Sequence, residues 1–329
     1  MISIDRLPVL LAAARAGSFS AAADLLFLTP SAVSQQVAAL ERDVGATLFE
    51  RSRRGVELTT AGRALHGHAE AVVNRLADAQ AEIDALVSGD AGRVVLGSFP
   101  TATARFAAAS VASFQRRHPR VEARLVDGEP YESVVRLKRR ELDLAVVFDF
   151  PTWPVYRSYE GRSTASPEDV ELVDLCEDAF QVMLPAGHPL ARRRQLGLDD
   201  LRGERITGSS NDCAPWGAEL RRLCQEVGFD PLLEPLYCSA DFQAQQAFVA
   251  AGLGLSLLPS LVVGVRDDIV LRPLRGGPVR QVRLAFPSGA FRSAATSALV
   301  SVLRKMAPAR RASRSRPATP RPRRSPTPR

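Results

Sequence analysis

One segment, TPSAVSQQVAALERDV from Thr29 to Val44, constrains the fold of this chain more than any other. Its apolar residues recur at i, i+4, i+7 and i+11, which predicts a helix that packs one face inward. These residues are Val33, Val37, Leu40 and Val44. A second stripe carries small, hydroxyl or amide side chains, at Ser31, Ser34, Gln35 and Ala38. Such side chains permit close approach and hydrogen-bond to base edges, so the stripe is typical of a helix in the DNA major groove, although an ordinary amphipathic helix has the same spacing.

The ends of this predicted helix carry signals that agree with its length. Thr29 is a favoured N-cap residue, and Pro30 suits the first helical position. Gly45 suits the left-handed residue that ends a helix. Because a helix N-terminus is positively polarised, we expect Thr29 and Pro30 to lie near a DNA phosphate.

Two shorter helices are predicted ahead of this one. The first spans residues 4–16 and ends at Gly17, and the second spans Ala21–Leu26 with Ser20 as its N-cap. A tight turn separates the second helix from Thr29. Two helices joined in this way, the later one with a polar face, indicate a helix-turn-helix.

A small hairpin is predicted directly after Gly45. Its strands are Leu48–Arg51 and Val56–Leu58, and the turn between them is rich in arginine. The arginines at or near its tip are Arg51, Arg53 and Arg54. We interpret the hairpin as a wing whose arginines rest on DNA phosphates, and the alternative is a solvated turn.

The next predicted helix is unusually long. It begins at Thr59 or Thr60 and runs to about Val87, which is roughly 40 Å at 1.5 Å per residue. Apolar residues recur along it at alternating spacings of four and three, the seam of a heptad repeat. They are Leu65, Ala69, Val72, Leu76, Ala79, Ile83 and Leu86. The seam predicts pairing with a second copy, and such a dimer presents two reading helices to an operator with two half-sites.

Residues 88–92 predict a flexible joint, and beyond it strands and helices alternate. This alternation predicts an α/β fold with a largely parallel sheet. The predicted strands are Arg93–Gly97, Val121–Val126, Leu142–Phe148, Val170–Leu175, Phe180–Leu184, Arg205–Thr207, Leu233–Cys238, Leu255–Leu258 and Val279–Phe286. The predicted helices are Thr103–Arg117, Tyr131–Arg140, Pro215–Val227, Asp241–Ala251 and Phe291–Met306.

Ligands of open α/β sheets bind beyond the carboxyl ends of the strands. This rule selects nine candidate effector-binding residues: Ser98, Phe99, Thr101, Glu129, Phe148, Asp149, Ser209, Asn211 and Ser239. Ser98, Thr101 and Thr103 precede a helix, so their hydroxyls are suited to hold a carboxylate. Phe99, Phe148 and Trp153 suit an aromatic or apolar ligand. The alternatives are plain helix caps for the hydroxyl residues and core packing for Phe148.

The basic character of the chain comes from its last residues. The net charge is +7, but residues 308–329 hold eight arginines and no acid, so the rest of the chain is close to neutral. The segment consists mainly of Pro, Arg, Ser and Thr, which predicts a disordered, self-repelling tail. It adds salt-dependent affinity for DNA or is a dispensable extension, and the sequence leaves both open.

Several function classes lack their sequence signals. There is no Gly-x-Ser-x-Gly elbow, H-E-x-x-H or P-loop, so no catalytic function, metal or cofactor is predicted. The four cysteines form no C-x-x-C pair, which favours a reduced, cytoplasmic compartment. No apolar run reaches the roughly 18 residues of a membrane span, and Asp5 and Arg15 argue against an export signal.

The chain resembles the LysR-type transcriptional regulators. The stretches that carry the resemblance are GSFSAAADLL (17–26), TPSAVSQQVAALE (29–41), GATLFERSRRGVELTTAG (45–62), LPAGHPLA (184–191) and AGLGLSLLP (251–259). It covers about residues 1–305 and is most specific in the first 62. It implies an all-α winged helix-turn-helix in residues 1–60 and a long dimerisation helix in residues 61–88.

The remainder, residues 89–307, would then be an α/β effector-binding domain of two Rossmann-like subdomains, similar to a periplasmic binding protein. Subdomain I would comprise residues 89–165 and 270–307, and subdomain II residues 166–269. The resemblance implies double-stranded promoter DNA, a small-molecule effector and further copies in a dimer or tetramer as partners. The Arg-rich tail departs from the family pattern.

Two other interpretations are kept open. A thiol-based redox-sensing regulator would use Cys213 and Cys224, a region in which some members of the family place paired cysteines. Cys213 precedes Pro215 and so is expected in a loop, which leaves pairing open, whereas two cysteines this far apart on one helix lie too far from each other. A solute-binding module is opposed by the whole N-terminal domain.

Overall fold

A computed structural model of the chain describes residues 2–52, 55–88, 92–157, 165–208, 215–239 and 241–309. The helices are α1 (Leu7–Ala16), α2 (Phe19–Leu26), α3 (Pro30–Val44), α4 (Thr60–Ser88), α5 (Pro100–Ala102), α6 (Ala108–Arg117), α7 (Pro130–Lys138), α8 (Pro215–Glu226), α9 (Phe242–Ala250) and α10 (Ala294–Met306). The strands are β1 (Phe49–Ser52), β2 (Gly55–Leu58), β3 (Gly92–Ser98), β4 (Val121–Asp127), β5 (Leu144–Asp149), β6 (Val170–Pro185), β7 (Leu196–Gly197), β8 (Arg205–Gly208), β9 (Leu232–Cys238), β10 (Ser256–Pro259), β11 (Ile269–Arg275) and β12 (Val279–Pro287).

Helices α1, α2 and α3 and the β1–β2 hairpin form the N-terminal head around one small core. Val33, Val37 and Leu40 of α3 are buried there, and Val44 is partly buried. Gly17 and Gly45 end α1 and α3 in the left-handed region, with φ of 67° and 75°. The predicted helix ends at these two glycines are therefore confirmed.

The predicted start of α2 is wrong. Ser18, rather than Ser20, is the N-cap: its backbone is extended, and its Oγ accepts the Ala21 N–H at 3.1 Å. Ser20 lies inside the first turn of the helix. The two serines are chemically alike, so only the backbone conformation decides which of them caps the helix.

Helix α4 leaves the head and continues far beyond it. Its first turns pack on the head core, where Ala69 is buried and Leu65 and Val73 are partly buried. The later apolar residues face outward: Val72 is 38%, Leu76 50% and Ile83 53% exposed. Half of the helix therefore belongs to the head, and the other half presents an apolar stripe.

A large mixed sheet organises the rest of the chain, with the strand order β4-β3-β5-β12-β6-β11-β7. Strands β3, β4 and β5 are parallel, and β12 runs antiparallel between β5 and β6. Strand β10 also pairs with β6, while β8 and β9 form a separate parallel pair. The α/β class is confirmed, but the prediction of a largely parallel sheet is wrong, because β6 and β12 pair antiparallel with all their neighbours in the large sheet.

Strand β6 joins the two halves of this α/β domain. The sequence predicts two strands, Val170–Leu175 and Phe180–Leu184, but the structure has one strand, Val170–Pro185. Its first part pairs with β12 over Val170–Ala179, and its second part pairs with β10 and β11. The polar residues in its middle suggested a break, yet Asp178 is matched by a charge on the neighbouring strand.

Two strands were not predicted, the two-residue β7 and the longer β11. Strand β11 contains Pro273, which argues against a strand in sequence-based reasoning. It pairs with Gln181–Pro185 of β6, next to the strands of the second half. The boundary near residue 270 that was expected between subdomains therefore runs through this strand.

The helical run after β3 also begins earlier than predicted, at Pro100, and continues through a π-helical turn at Thr103–Ala107 into α6.

Candidate DNA-reading head and effector cleft

The predicted reading stripe of α3 is accessible. Ser31, Gln35 and Ala38 are exposed and Ser34 is partly exposed, on the side opposite the buried Val33. The helix N-terminus is fixed by Thr29, whose Oγ1 accepts the Ala32 N–H at 3.2 Å and lies 3.0 Å from Ser31 Oγ. Pro30 occupies the first helical position, as predicted. The arrangement offers short polar side chains on a rigid helix that is anchored from behind.

The wing is tied to the reading helix by a residue that sequence reasoning did not single out for this role. Glu41 of α3 accepts the backbone N–H groups of Leu48 and Phe49, at 2.7 and 3.3 Å. The Val56 N–H of β2 also donates to Gly17 O at 2.8 Å. These bonds fix the position of the hairpin relative to α3 and to the end of α1.

The wing arginines are placed only in part. Arg51 lies in β1, opposite Val56, and its side chain is outside the described structure. Arg53 and Arg54 lie outside the described residues. Ser52 pairs with Gly55, so β1 and β2 remain paired up to the position expected for the hairpin tip.

The predicted dimerisation residues fall into two groups. Leu65 contributes to the head core, whereas Val72, Leu76, Ala79 and Ile83 are exposed along one side of α4. Leu86 lies in the same helix, with its side chain outside the described structure. The exposed seam therefore begins at Val72, about two turns later than the sequence pattern suggested.

In subdomain I, four candidates at the ends of β3 and β5 are buried around an arginine from β12. Ser98, Phe99, Thr101 and Phe148 are all buried, and the Phe99 and Phe148 rings meet edge to face at 4.9 Å. Arg280 Nη2 donates to Thr101 Oγ1 at 2.6 Å. Its guanidinium also lies 4.8 and 4.5 Å from the centroids of these two rings. Arg280 thus holds the hydroxyl that was expected to bind a carboxylate.

Other candidates have structural partners. Glu129 is the N-cap of α7, and its N–H donates to Glu132 Oε2 at 2.9 Å. Asp149 pairs with Arg283 at 3.0 Å, and burial raises the pKa of its carboxyl although Arg283 opposes this. Both positions follow the rule on strand ends, yet both side chains already have partners within the subdomain.

Subdomain II presents a connected polar cluster. Gln245 donates to Ser239 O at 2.7 Å, and Ser256 Oγ donates to Thr207 O at 2.8 Å and lies 3.4 Å from Gln245 Oε1. Thr207 lies near the end of β8, and Ser239 follows β9. Within the described part of the chain, the buried Thr207 hydroxyl has no hydrogen-bond partner, and neither has that of Thr103. Ser209 and Asn211 lie outside the described residues.

The cysteines give little support to redox chemistry. Cys176 and Cys224 are buried free thiols, and burial raises the pKa of each to about 11. A buried, protonated thiol is a poor nucleophile. Cys213 lies outside the described residues.

No helix that the structure describes is long and apolar enough to cross a membrane.

A winged helix-turn-helix joined through one long helix to a two-part α/β domain defines a DNA-binding regulator with a sensory domain. The family model "LysR substrate binding domain" matches residues 88–308, and the model "Bacterial regulatory helix-turn-helix protein, lysR family" matches residues 4–63. The chain belongs to the LysR family of transcriptional regulators.

Individual relatives agree with this assignment. The HTH-type transcriptional regulator CbbR of Xanthobacter flavus is 32% identical, with 79% of this chain and 74% of the relative covered. The transcriptional dual regulator GltC of Bacillus subtilis is 29% identical, with 70% of this chain and 71% of GltC covered.

Two solved structures share the fold. The match to the crystal structure of full-length CbnR in complex with its target DNA covers 93% of this chain and 100% of the CbnR chain, with 22% sequence identity and a TM-score of 0.58. The match to full-length OxyR from Pseudomonas aeruginosa covers 93% of this chain and 94% of the OxyR chain, with 20% sequence identity and a TM-score of 0.63.

Proposed function

We propose that this LysR-type regulator reads its operator with the exposed stripe of α3. The observation that carries the proposal is the division of one helix into a buried apolar face and an exposed face of short polar side chains. Ser31, Ser34 and Gln35 would contact base edges. The proposed phosphate contacts are Thr29, Pro30, Arg51, Arg53 and Arg54.

Two copies would pair along the exposed half of α4. Burial of Val72, Leu76, Ala79, Ile83 and Leu86 against a second copy would remove an apolar stripe from water. A dimer presents two heads to two half-sites, and a tetramer of two such dimers would span a longer site. The crystal structure of CbnR in complex with its target DNA is in keeping with this role.

We further propose that a small polar effector binds between the two α/β subdomains. One wall would be formed by the segment after β3, with Thr101 and Thr103, and the other by the Thr207–Ser256–Gln245–Ser239 cluster. The two buried hydroxyls without partners would gain hydrogen bonds on binding, which favours a ligand that bears acceptors or donors. Effector binding would shift the population between two arrangements of the heads.

The regulator is proposed to act in the cytoplasm and without catalysis. Its relatives are described as transcriptional regulators. Similarity to a probable hydrogen peroxide-inducible genes activator of Mycobacterium leprae favours the redox alternative, at 29% identity over 92% of this chain and 93% of the relative. The buried Cys224 opposes the redox alternative. We therefore expect peroxide to leave operator binding unchanged, and we expect the same of Cys213→Ser and of Cys224→Ser.

Footprinting on the DNA around its own gene, at two salt concentrations, tests the proposed function. We expect a footprint of two half-sites that Gln35→Ala and Ser34→Ala abolish. Gln195→Ala, an exposed glutamine far along the chain, is the matched control and should retain the footprint. Binding that ignores both α3 substitutions but disappears when residues 308–329 are deleted would refute the assignment of α3 as the reading helix.

A further inference from the structure

We propose that Lys138 is a releasable latch between the DNA-reading head and the effector-binding domain. Lys138 ends α7, and its Nζ lies 3.6 Å from Glu70 Oε2 of α4 and 3.8 Å from Asp169 Oδ2. Its carbonyl oxygen accepts a hydrogen bond from Asn74 Nδ2 of α4 at 3.0 Å. One residue thus contacts the linker helix twice while it also contacts the start of β6. The proposal deepens the function proposed above and rests on it.

The contact with Asp169 connects the latch to the cleft. Asp169 directly precedes β6, and its carbonyl accepts the Ser288 N–H, just after β12, at 3.0 Å. From there β6 and β12 run side by side to the cross-strand pair of Asp178 and Arg280. The eight residue steps correspond to about 27 Å at 3.3–3.4 Å per residue. A two-stranded ladder, with one register shift between Val282 and Arg283, therefore leads from the Thr101 side of the cleft to the latch.

A second contact lies beside the first. Arg15 of the head donates to Glu141 at 3.2 Å, and Glu141 also pairs with Arg136 of α7 at 3.4 Å. A cavity of about 540 Å3 lies between these contacts, with Leu11, Leu25 and Val73 among its apolar lining residues. Another cavity, of about 420 Å3, lies on the other side of Lys138.

This junction has the physical character of a contact that opens. The side chains of Lys138 and Glu70 are 29% and 26% exposed, and partly exposed ion pairs are individually weak. The two cavities show that the head and the α/β domain are not packed tightly together there: the head lines the larger cavity with apolar side chains, whereas the α/β domain contributes Lys138, Arg139 and Glu141 to it. Polar, loosely packed contacts between domains favour relative motion, whereas a dry apolar interface would hold the head permanently.

The geometry also gives the latch a means of control. The Lys138 ammonium is shared between two carboxylates, one on α4 and one at the base of β6. When closure of the cleft moves the β6–β12 ladder, Asp169 changes its distance from the shared ammonium. That change strengthens or weakens the ion pair between Lys138 and Glu70, and so shifts the population of the head between a docked and a released position.

The lysine content of the chain permits a direct test. Only Lys138 and Lys305 occur in 329 residues, so a zero-length carbodiimide reaction joins few lysine–carboxylate pairs. In the free protein, we expect peptide mapping to find Lys138 joined to Glu70 or Asp169. Operator DNA from the footprinted region should lower the yield of the Lys138–Glu70 product at least threefold, because the bound head leaves the docked position.

Reciprocity between the latch and DNA gives the second arm of the test. Lys138→Met, which removes the charge and keeps the length, should raise operator affinity by about three- to tenfold, and Glu70→Gln should do the same. Lys305→Met is the matched control and should change nothing. Thermal unfolding of each variant verifies that the fold is intact, and none of the substitutions removes the Asn74 side chain or the Lys138 carbonyl oxygen that it bonds to.

The outcomes separate the latch from the proposed function. If the wild type binds its operator but forms no Lys138–Glu70 product, or forms it equally with and without DNA, the latch is wrong and the regulator stands. Unchanged operator affinity in both latch variants has the same meaning. If Gln35→Ala leaves the footprint intact, the proposed reading helix fails whatever the cross-linking shows.

Discussion

Arg280 and Asp178 face each other across the β6–β12 ladder and form a buried ion pair. Arg280 Nε donates to Asp178 Oδ2 at 2.7 Å, and Arg280 Nη2 also lies 2.7 Å from this oxygen. Asp178 Oδ1 accepts from Ser260 Oγ and from the Leu261 N–H, at 2.7 and 3.1 Å. Because Arg280 also bonds to Thr101, one ion pair holds segments from both subdomains to the strands that join them.

We expect loss of one partner to destabilise the effector-binding domain. Asp178→Asn leaves a buried guanidinium without its counter-charge and should lower the free energy of unfolding by about 3 kcal/mol or more. The double variant Asp178→Leu with Arg280→Met should recover a large part of this loss, since it buries no charge. Urea unfolding measures both. Arg266→Met breaks the exposed Arg266–Asp268 pair and should leave stability unchanged; an equal effect there would contradict the explanation.

The exposed half of α4 should mediate self-association. Leu76→Arg or Ile83→Arg places a charge in the proposed seam, and each buried aliphatic side chain contributes roughly 1.5–3 kcal/mol. Sedimentation velocity should show dissociation at concentrations at least tenfold higher than for the wild type. His68→Arg, exposed on the same helix but off the seam, should associate normally. Unaltered association in both seam variants would place the interface elsewhere.

The buried thiols predict a loss of stability at high pH. In the folded chain the pKa of Cys224 is about 11, against 9.0 for an ordinary thiol. The unfolded chain therefore ionises first, so the contribution is complete below pH 9 and is lost as the pH rises towards 11. Within this window the slope is about 1.4 kcal/mol per pH unit for each such thiol. Unfolding of Cys224→Ala should show a shallower pH dependence than the wild type, and parallel curves would contradict the assignment.

The Arg-rich segment, residues 308–329, is expected to add non-specific DNA affinity. Each phosphate that it neutralises contributes about 0.9 to the slope of log affinity against log salt. Its deletion should therefore flatten the slope on DNA without an operator and leave discrimination between operator and other DNA intact. A full-length variant with all eight arginines replaced by glutamine separates charge from length. Identical slopes would mean that the extension is dispensable for DNA binding.

Local signals predicted the head well because they are read within a few residues. The α3 helix has its N-cap, proline and terminal glycine within one segment, and the structure confirms all three. The same reasoning failed at Ser18 and Ser20, which differ only in backbone conformation. It could also not divide the α4 seam, since whether Leu65 packs on the head depends on tertiary contacts.

The surroundings of the proposed effector site were harder to predict because their contacts are distant in the sequence. Arg280 and Asp178 are 102 residues apart, and each alone looks like an ordinary charged strand residue. The rule on strand ends found Thr101 but could not show that Arg280 already engages its hydroxyl. Polar residues in the middle of β6 suggested two strands, whereas the opposite charge on β12 makes one continuous strand possible.

The continuity of β6 has a consequence for how such a chain can be altered by recombination. Both halves of the α/β domain contribute strands that pair with this single strand, on either side of Ala179. A crossover between the halves would leave each parent's β6 beside foreign partners and would divide the Asp178–Arg280 pair. The smallest unit that exchanges intact between relatives is therefore the whole of residues 92–309, which keeps its sensor undivided, while the head can be exchanged at α4.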